Sequence, residues 1–400
     1  MKVLYNIDLF SAVRLGLLLL IFGITFSKIH AQQEGYNLRD IKNVDELFSK
    51  GYILNQISKT ADWQLAHMPE KSWLASSNSF EKIEGNGWIR SAFYTGVMAA
   101  YNTTKNKKYL NNIYEWGNEN NWKPAERPRH ADDHCAIQTY VDIYLIDKDE
   151  NKIKHAVSAF DIIAADPMLG SVVGWEKELN WNWCDALFMA PPAMVRLSVA
   201  TGETKYLETM DLMYWDTYEY LFDKNEYLFY RDARFKPDAD PLLLSENGSP
   251  IFWSRGNGWV LAGLARILEF MPDDFKNKNK YEKLFTGMSA KLITLQDDEG
   301  FWHSNLLDPV ETPEPESSGT AFFCYGIAWG INNGYLDKTT YLPVVKKAWI
   351  ALNKCLDENG QLHWVQLVGS APAPVKYENS VEYATGAFIL AGSEVIKLID

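Results

Sequence analysis

"WNWCDALFMAPPAMVRLSVATGETKYL" (Trp181–Leu207) holds one unit of the fold in a single stretch. An aromatic loop carrying one acid runs into an apolar segment with helical spacing, a polar turn "ATGET" follows, and a second helical start begins at "KYL". Apolar residues three and four apart mark helices, and a short polar turn between two of them makes antiparallel neighbours. The unit is therefore a helical hairpin with a decorated entrance. Pro191 and Pro192 interrupt its first helix early, so the acid, Asp185, sits on a short or kinked segment.

The rest of the chain repeats this plan. Polar turns recur at Asn102–Leu110, Ala200–Glu208, Phe275–Leu284 and Ile331–Leu342, each between helical stretches. Loops mixing glycine, aromatic and charged residues alternate with them: "EGNGW" (Glu84–Trp88), "RHADDH" (Arg129–His134), "WNWCD" (Trp181–Asp185), "WSRGNGW" (Trp253–Trp259), "PESSGT" (Pro315–Thr320) and "NSVEYATG" (Asn379–Gly386). Each of these enters an apolar helix, and their spacing of roughly 45 to 75 residues accommodates a helix out, a turn and a helix back. Strand signals are scarce. Six hairpins closed in a ring predict an all-α (α/α)6 barrel, with the six decorated loops gathered at one mouth around the N-termini of the inner helices. Such a mouth is concave and favours negative charge.

Composition bounds the function. With 47% apolar and 23% charged residues over 400 positions, the chain can bury a large core, which excludes a disordered protein. A net charge of -13 argues against nucleic acid and anionic membranes as partners. Lys2 and Arg14 precede the apolar run Leu15–Phe26, and "KIHA" then ends on a small residue. Residues 1–31 are expected to be a secretory signal peptide, too short in its apolar part to span a bilayer. Residues 32–400 are then one exported catalytic domain, periplasmic or secreted, with no membrane insertion after cleavage. Cys135, Cys184, Cys324 and Cys355 follow no metal-ligand spacing, so no metal or organic cofactor is expected, and the thiols read as buried apolar residues.

The loops supply the chemistry. Trp88, Trp181, Trp183, Trp253 and Trp259 stand where connecting loops are usually polar. Tryptophan is mostly buried anyway, but its recurrence beside carboxylates and arginine suits a sugar site. Asp185 reads either as a helix N-cap or as a general acid whose pKa an apolar setting raises and a helix N-terminus lowers. Asp132 and Asp133 also start a helix, near Arg129, His130 and His134, which would keep a carboxylate there ionised. One such acid with Asp185 would make a differentiated pair for glycosidic chemistry. Arg255, framed by Trp253 and Trp259, is suited to gripping a carboxylate. Glu311, Glu314 and Glu316 read mainly as solvated loop charges, and Glu382 could be either surface or site. No Ser–His–Asp pattern, P-loop or dinucleotide fingerprint occurs.

The segments "RHADDHCAIQTYVDIY", "WNWCDALFMAPPAMVRLSVATGETKYL", "WSRGNGWVLAGLARILE", "SSGTAFFCYGIAWGINNGYL" and "VEYATGAFILAGSEV" resemble the unsaturated uronyl hydrolases of the glycoside hydrolase family 105 and 88 type, in order from about Trp88 to the C-terminus. The resemblance implies an (α/α)6 barrel and oligosaccharide substrates made by polysaccharide lyases, which carry a 4,5-unsaturated uronic acid at the non-reducing end. It implies that Asp185, in the W-x-D-x-L-[FY]-M pattern, is the general acid/base, and that Asp132 or Asp133 is the second carboxylate. Trp253, Arg255 and Trp259 match the loop that grips substrate. Where relatives acting on rhamnogalacturonan often have Tyr-His, this chain has Tyr230 and Arg231. Arg231 is expected to read the next sugar or a sulfate on it, as in ulvan fragments; pectic rhamnogalacturonan is the other main substrate. An inverting glycosidase with the same two acids and a non-catalytic glycan binder are the competing readings.

Overall fold

The polar turns stop and restart helices as their chemistry requires. Residues 36–74, 77–170 and 181–399 are described in the computed structural model, and the expected signal peptide, residues 1–31, lies outside them. The chain divides after Leu38, and the unit Arg39–Asp400 holds every helix described. Helix α1 (Lys50–Ala66) comes first. Lys105 ends α2 (Trp88–Thr104) in the left-handed conformation, and Asn106 caps α3 (Lys107–Glu119) through its side chain. Lys148 ends α4 (Cys135–Asp147) in the same way before α5 (Lys154–Ala165). Next come the four-residue α6 (Ala186–Met189) and α7 (Pro191–Thr201), which Gly202 ends before α8 (Thr204–Leu221). The last pairs are α9 (Ser254–Leu268) with α10 (Lys278–Leu292), and α11 (Ser317–Asn332) with α12 (Lys338–Lys354), whose cap is Asp337. A final helix, α13 (Glu382–Val395), completes the set. Left-handed stops and Asx starts reverse a chain within a few residues.

The helices after the decorated loops, α2, α4, α7, α9, α11 and α13, contact one another in a closed circuit, with α13 returning to α2. Outside them, α3, α8, α10 and α12 lie on the inner helix before them, α5 packs on α7 and α8, and α1 covers α13. This is the (α/α)6 barrel. The sixth outer helix therefore comes from the beginning of the chain. Every residue of α9 and of α13 is buried, polar ones included, as befits inner helices enclosed by their neighbours. Two short antiparallel hairpins, β1 (Lys71–Leu74) with β2 (Ser79–Lys82) and β3 (Phe222–Asp223) with β4 (Leu228–Phe229), decorate the barrel. The four cysteines are free and buried. Among the described residues no helix is long and apolar enough to cross a membrane.

One boundary differs from the expectation. Helix α9 begins at Ser254, so Arg255 and Trp259 belong to its first turns and not to a loop.

Candidate active site

Asp185 stands at the N-terminal end of α6, yet its side chain makes no capping hydrogen bond. It does not serve as the helix cap that its position suggests. Close before it stands Trp181, a buried residue with φ of 41° whose carbonyl accepts a hydrogen bond from Thr217, and Cys184 N–H donates to Arg231 O at 2.8 Å. A non-glycine residue held in the left-handed region stores strain that the surrounding bonds must contain. The Asp185 carboxylate accepts from Cys184 Sγ at 3.6 Å and lies 3.3 Å from Arg231 Nε, within ion-pair distance but without hydrogen-bond alignment.

The two acids of "ADDH" have different fates. Asp133 is taken by Arg127, whose backbone N–H and guanidinium donate to it at 2.6 Å each. This makes it a structural ion pair. Asp132 lines the same cavity as Asp185. Burial pushes its carboxyl up to about 6, with the charge of Asp185 adding to the rise and His130, Arg127 and Arg231 opposing it. The elevated group is therefore Asp132, where the sequence suggested an ionised partner. His130 supports the site, its Nδ1 3.9 Å from Asp132 and its ring 4.7 Å from that of Trp183. His134 does not reach the cavity. It is buried against Phe160, Nε2 donates to Pro128 O, and burial lowers its pKa to about 4, so it is a neutral core residue. Arg129 turns away to the carbonyl of Asp166.

Three guanidinium groups line the cavity. Arg231 donates to Asp232 at 2.8 Å, and Arg234 donates to both oxygens of the same carboxylate at 2.8 and 2.7 Å. Asp232 is fully buried; burial alone would raise its pKa, but the bonds from Arg234 and Arg231 hold it below the ordinary carboxylate range. Burial works against the charge of Arg231, and Asp185 and Asp232 more than offset it, raising its pKa. Arg255 is sandwiched between the rings of Trp253 and Tyr383, at 4.4 and 5.0 Å, and donates to Gln366 O at 2.7 Å and Leu367 O at 3.0 Å. Much of its grip thus falls on the loop that forms the cavity wall.

Trp88, Trp183 and Trp253 line the cavity, while Trp259 does not. Trp259 is 1% exposed and packs 4.2 Å from the Phe322 ring, in the barrel core. Glu316, expected on a solvated loop, is fully buried and caps α11 by accepting from Ser318 N–H and Gly319 N–H. Glu382 is buried in an ion pair with Arg90. The wall residues Met189, Arg234 and Val368–Ser370 escaped the sequence reading. Arg234 could have been found from its place in "YRDAR", where two arginines flank one acid; the uncharged Val368–Ser370 stretch has no such signal.

The cavity measures about 430 Å³. A larger one, of about 600 Å³, lies elsewhere, lined by Asp142, Arg196, Arg266, Glu269 and Tyr325. There Arg196 bonds both Asp142 and Glu269, which leaves those acids committed to structure. The smaller cavity joins Asp132, Asp185 and the arginines at the N-terminal ends of the inner helices.

Paired acids in an aromatic cavity at the mouth of an (α/α)6 barrel suit glycosidic chemistry. The comparisons with known proteins agree. The chain belongs to Glycosyl Hydrolase Family 88, whose profile matches residues 56–399. It is 38% identical over 350 residues to an unsaturated 3S-rhamnoglycuronyl hydrolase of Formosa agariphila, covering 85% of this chain and 89% of that one. A protein of the same description from an Alteromonas species is 33% identical, with 96% and 97% covered. Among solved structures, a family 88 glycosyl hydrolase from Bacteroides vulgatus matches with a TM-score of 0.77 at 31% identity, over 87% of this chain and 99% of that one.

Proposed function

We propose that this enzyme removes the 4,5-unsaturated uronic acid from lyase products whose next sugar is a 3-sulfated rhamnose, as in ulvan fragments. The observation that carries the reading is the placement of Asp132 and Asp185 in one cavity with Arg231 and Arg234. The descriptions of the two curated relatives support the sulfated aglycone. Asp185 donates a proton to C4 of the vinyl ether, positive charge develops at C5 and the ring oxygen, and water adds at C5 while a carboxylate takes its proton. The C5 hemiketal opens to a ketone, and the freed hydroxyl at C1 leaves a hemiacetal that collapses to an aldehyde, releasing the aglycone. Asp132, protonatable near pH 6, is the second carboxylate.

Arg231 is bonded to Asp232 and paired with Asp185, which supports a role in holding the proton donor in place of reading the aglycone. Its sulfate-reading role passes to Arg234, partly exposed and 3.0 Å from Ser370 Oγ at the cavity wall. We also propose that residues 1–31 direct export and that residues 32–400 act as one catalytic domain; a mature protein that keeps Met1 would argue against export.

The test is a comparison of lyase-generated disaccharides with and without the rhamnose sulfate. Turnover must abolish the ultraviolet absorbance of the conjugated uronate. An ordinary glycosidase would cleave saturated substrates and spare that absorbance, and a glycan binder would form no product. Preference for unsulfated rhamnogalacturonan fragments would overturn the ulvan assignment.

A further inference from the structure

Behind Asp185 the polypeptide is short of hydrogen bonds. Pro191 and Pro192 have no N–H, so the carbonyls of Leu187 and Phe188, four residues earlier, lose the donors a continuous helix supplies. Ala193 N–H turns to Ala190 O, which leaves Met189 O without its helical donor as well. Three consecutive carbonyls in a buried segment therefore need partners from outside it.

One side chain supplies two of them. Gln138 of α4, fully buried, donates from Nε2 to Phe188 O at 2.8 Å and to Met189 O at 3.3 Å. Only the nitrogen end of an amide can donate, so its orientation matters. Arg266 of α9 sets that orientation by donating from Nε to Gln138 Oε1 at 2.7 Å. The third carbonyl, Leu187 O, is approached by Gly263 of α9, where a Cβ would stand 2.4 Å from it. Helix α6 is thus clamped between α4 and α9 at its backbone, with Asp185 at one end and the cavity residue Met189 at the other.

We propose that Gln138 and Arg266 are positioning residues for the reaction: their relay fixes the four-residue helix α6 and, through it, the Asp185 carboxyl. The inference rests on the reading of Asp185 as proton donor. Neither side chain lines the cavity that holds Asp185. Their effect is on the alignment of a group that must meet C4 of the substrate, where a displacement near 1 Å can cost about a hundredfold in rate.

The experiment uses the full chain and an unsaturated disaccharide, with kcat and KM measured separately beside the thermal midpoint. Gln138→Met keeps the volume and removes the donors; kcat is expected to fall roughly 10- to 100-fold with KM within about twofold. Gln138→Glu keeps an acceptor for Arg266 but turns oxygen toward both carbonyls. Its kcat should recover relative to wild type as the pH falls and the new carboxyl gains a proton to donate, a profile that a merely space-filling residue would not give. A folded Gln138→Met enzyme with wild-type kcat, or one altered only in KM or thermal midpoint, overturns the proposal. Should the Gln138 variants not fold, Arg266→Leu carries the test, and wild-type kcat there is equally fatal. Asp185→Asn separates the two readings: if it keeps turnover, the proton-donor assignment fails, whereas an inactive Asp185→Asn beside an unimpaired Gln138→Met condemns the relay alone.

Discussion

Asp132 and Asp133 are adjacent, and in a tight helical turn successive side chains diverge by about a third of a circle, so only one can face the cavity. The sequence could not choose between them because the deciding contact, Arg127 on Asp133, is a matter of how the loop folds back. For Asp132 the physical consequence is measurable. Its carboxyl titrates near 3.8 in the unfolded chain and near 6 in the folded one, chiefly through burial. The folded state binds that proton more tightly, so the associated stability is fully present below 3.8 and is lost as the pH rises through 6. Above that range wild type holds a largely, though not fully, buried ionised carboxylate at a cost on the order of 2–3 kcal/mol. Asp132→Asn is therefore expected to melt higher than wild type at about pH 8, the difference shrinking toward about pH 4, while turnover falls by about 10²-fold or more. Equal melting of the two proteins across that range would refute the shift. Arg231→Ala belongs at the same scale: since the guanidinium touches Asp185, its loss should lower kcat on sulfated and unsulfated disaccharides alike, whereas Arg234→Ala should raise KM for the sulfated one only.

The hairpins were legible because helical periodicity and turn chemistry are local properties, and each predicted polar turn does separate an inner from an outer helix. The wall contributed by residues 366–370 was not, because it is held from a distance. Glu316 explains how. It caps α11 through Ser318 and Gly319 and also accepts from Gln366 N–H at 3.3 Å, while Ser317 Oγ bonds the carbonyls of His363 and Trp364. Arg255 holds the following carbonyls, so one loop is pinned by α9 and α11 together. Glutamate is not a favoured cap, and a proline-rich neighbourhood reads as surface, which is why the sequence hid this element. Glu316→Gln replaces an acceptor oxygen by a donor facing backbone N–H groups. It should cost about 1–3 kcal/mol in urea unfolding and raise KM as the wall loosens. A variant of unchanged stability would show that the cap does not hold the loop.

At the scale of the whole molecule, the barrel closes where the end of the chain meets its beginning, α13 against α2. The six loops in the sequence implied a ring, but not that its last outer helix would be α1, because that pairing joins segments more than 300 residues apart and leaves no local pattern. The closing contact depends on absent side chains. A Cβ on Gly96 would stand 2.6 Å from the Cα and the carbonyl oxygen of Gly386, and one on Gly386 would stand 2.8 Å from Ala92 O and Phe93 Cα. Backbone cannot yield as a flexible side chain can, so the two helices would have to separate. The seam also carries function, since Trp88 at the start of α2 stacks on Tyr383 at the start of α13, with ring centroids 5.5 Å apart, and Tyr383 is one face of the Arg255 sandwich. Gly386→Ala is therefore expected to destabilise the protein by about 1–3 kcal/mol and to raise KM through displacement of Trp88, with a smaller effect on kcat because Asp132 and Asp185 are held by other helices. Gly51→Ala, at a position in α1 with nothing within 4 Å, is the matched control and should be neutral or stabilising by up to about 1 kcal/mol. If both alanine variants unfold at the same denaturant concentration as wild type, the close approach of α2 and α13 is not what shuts the ring.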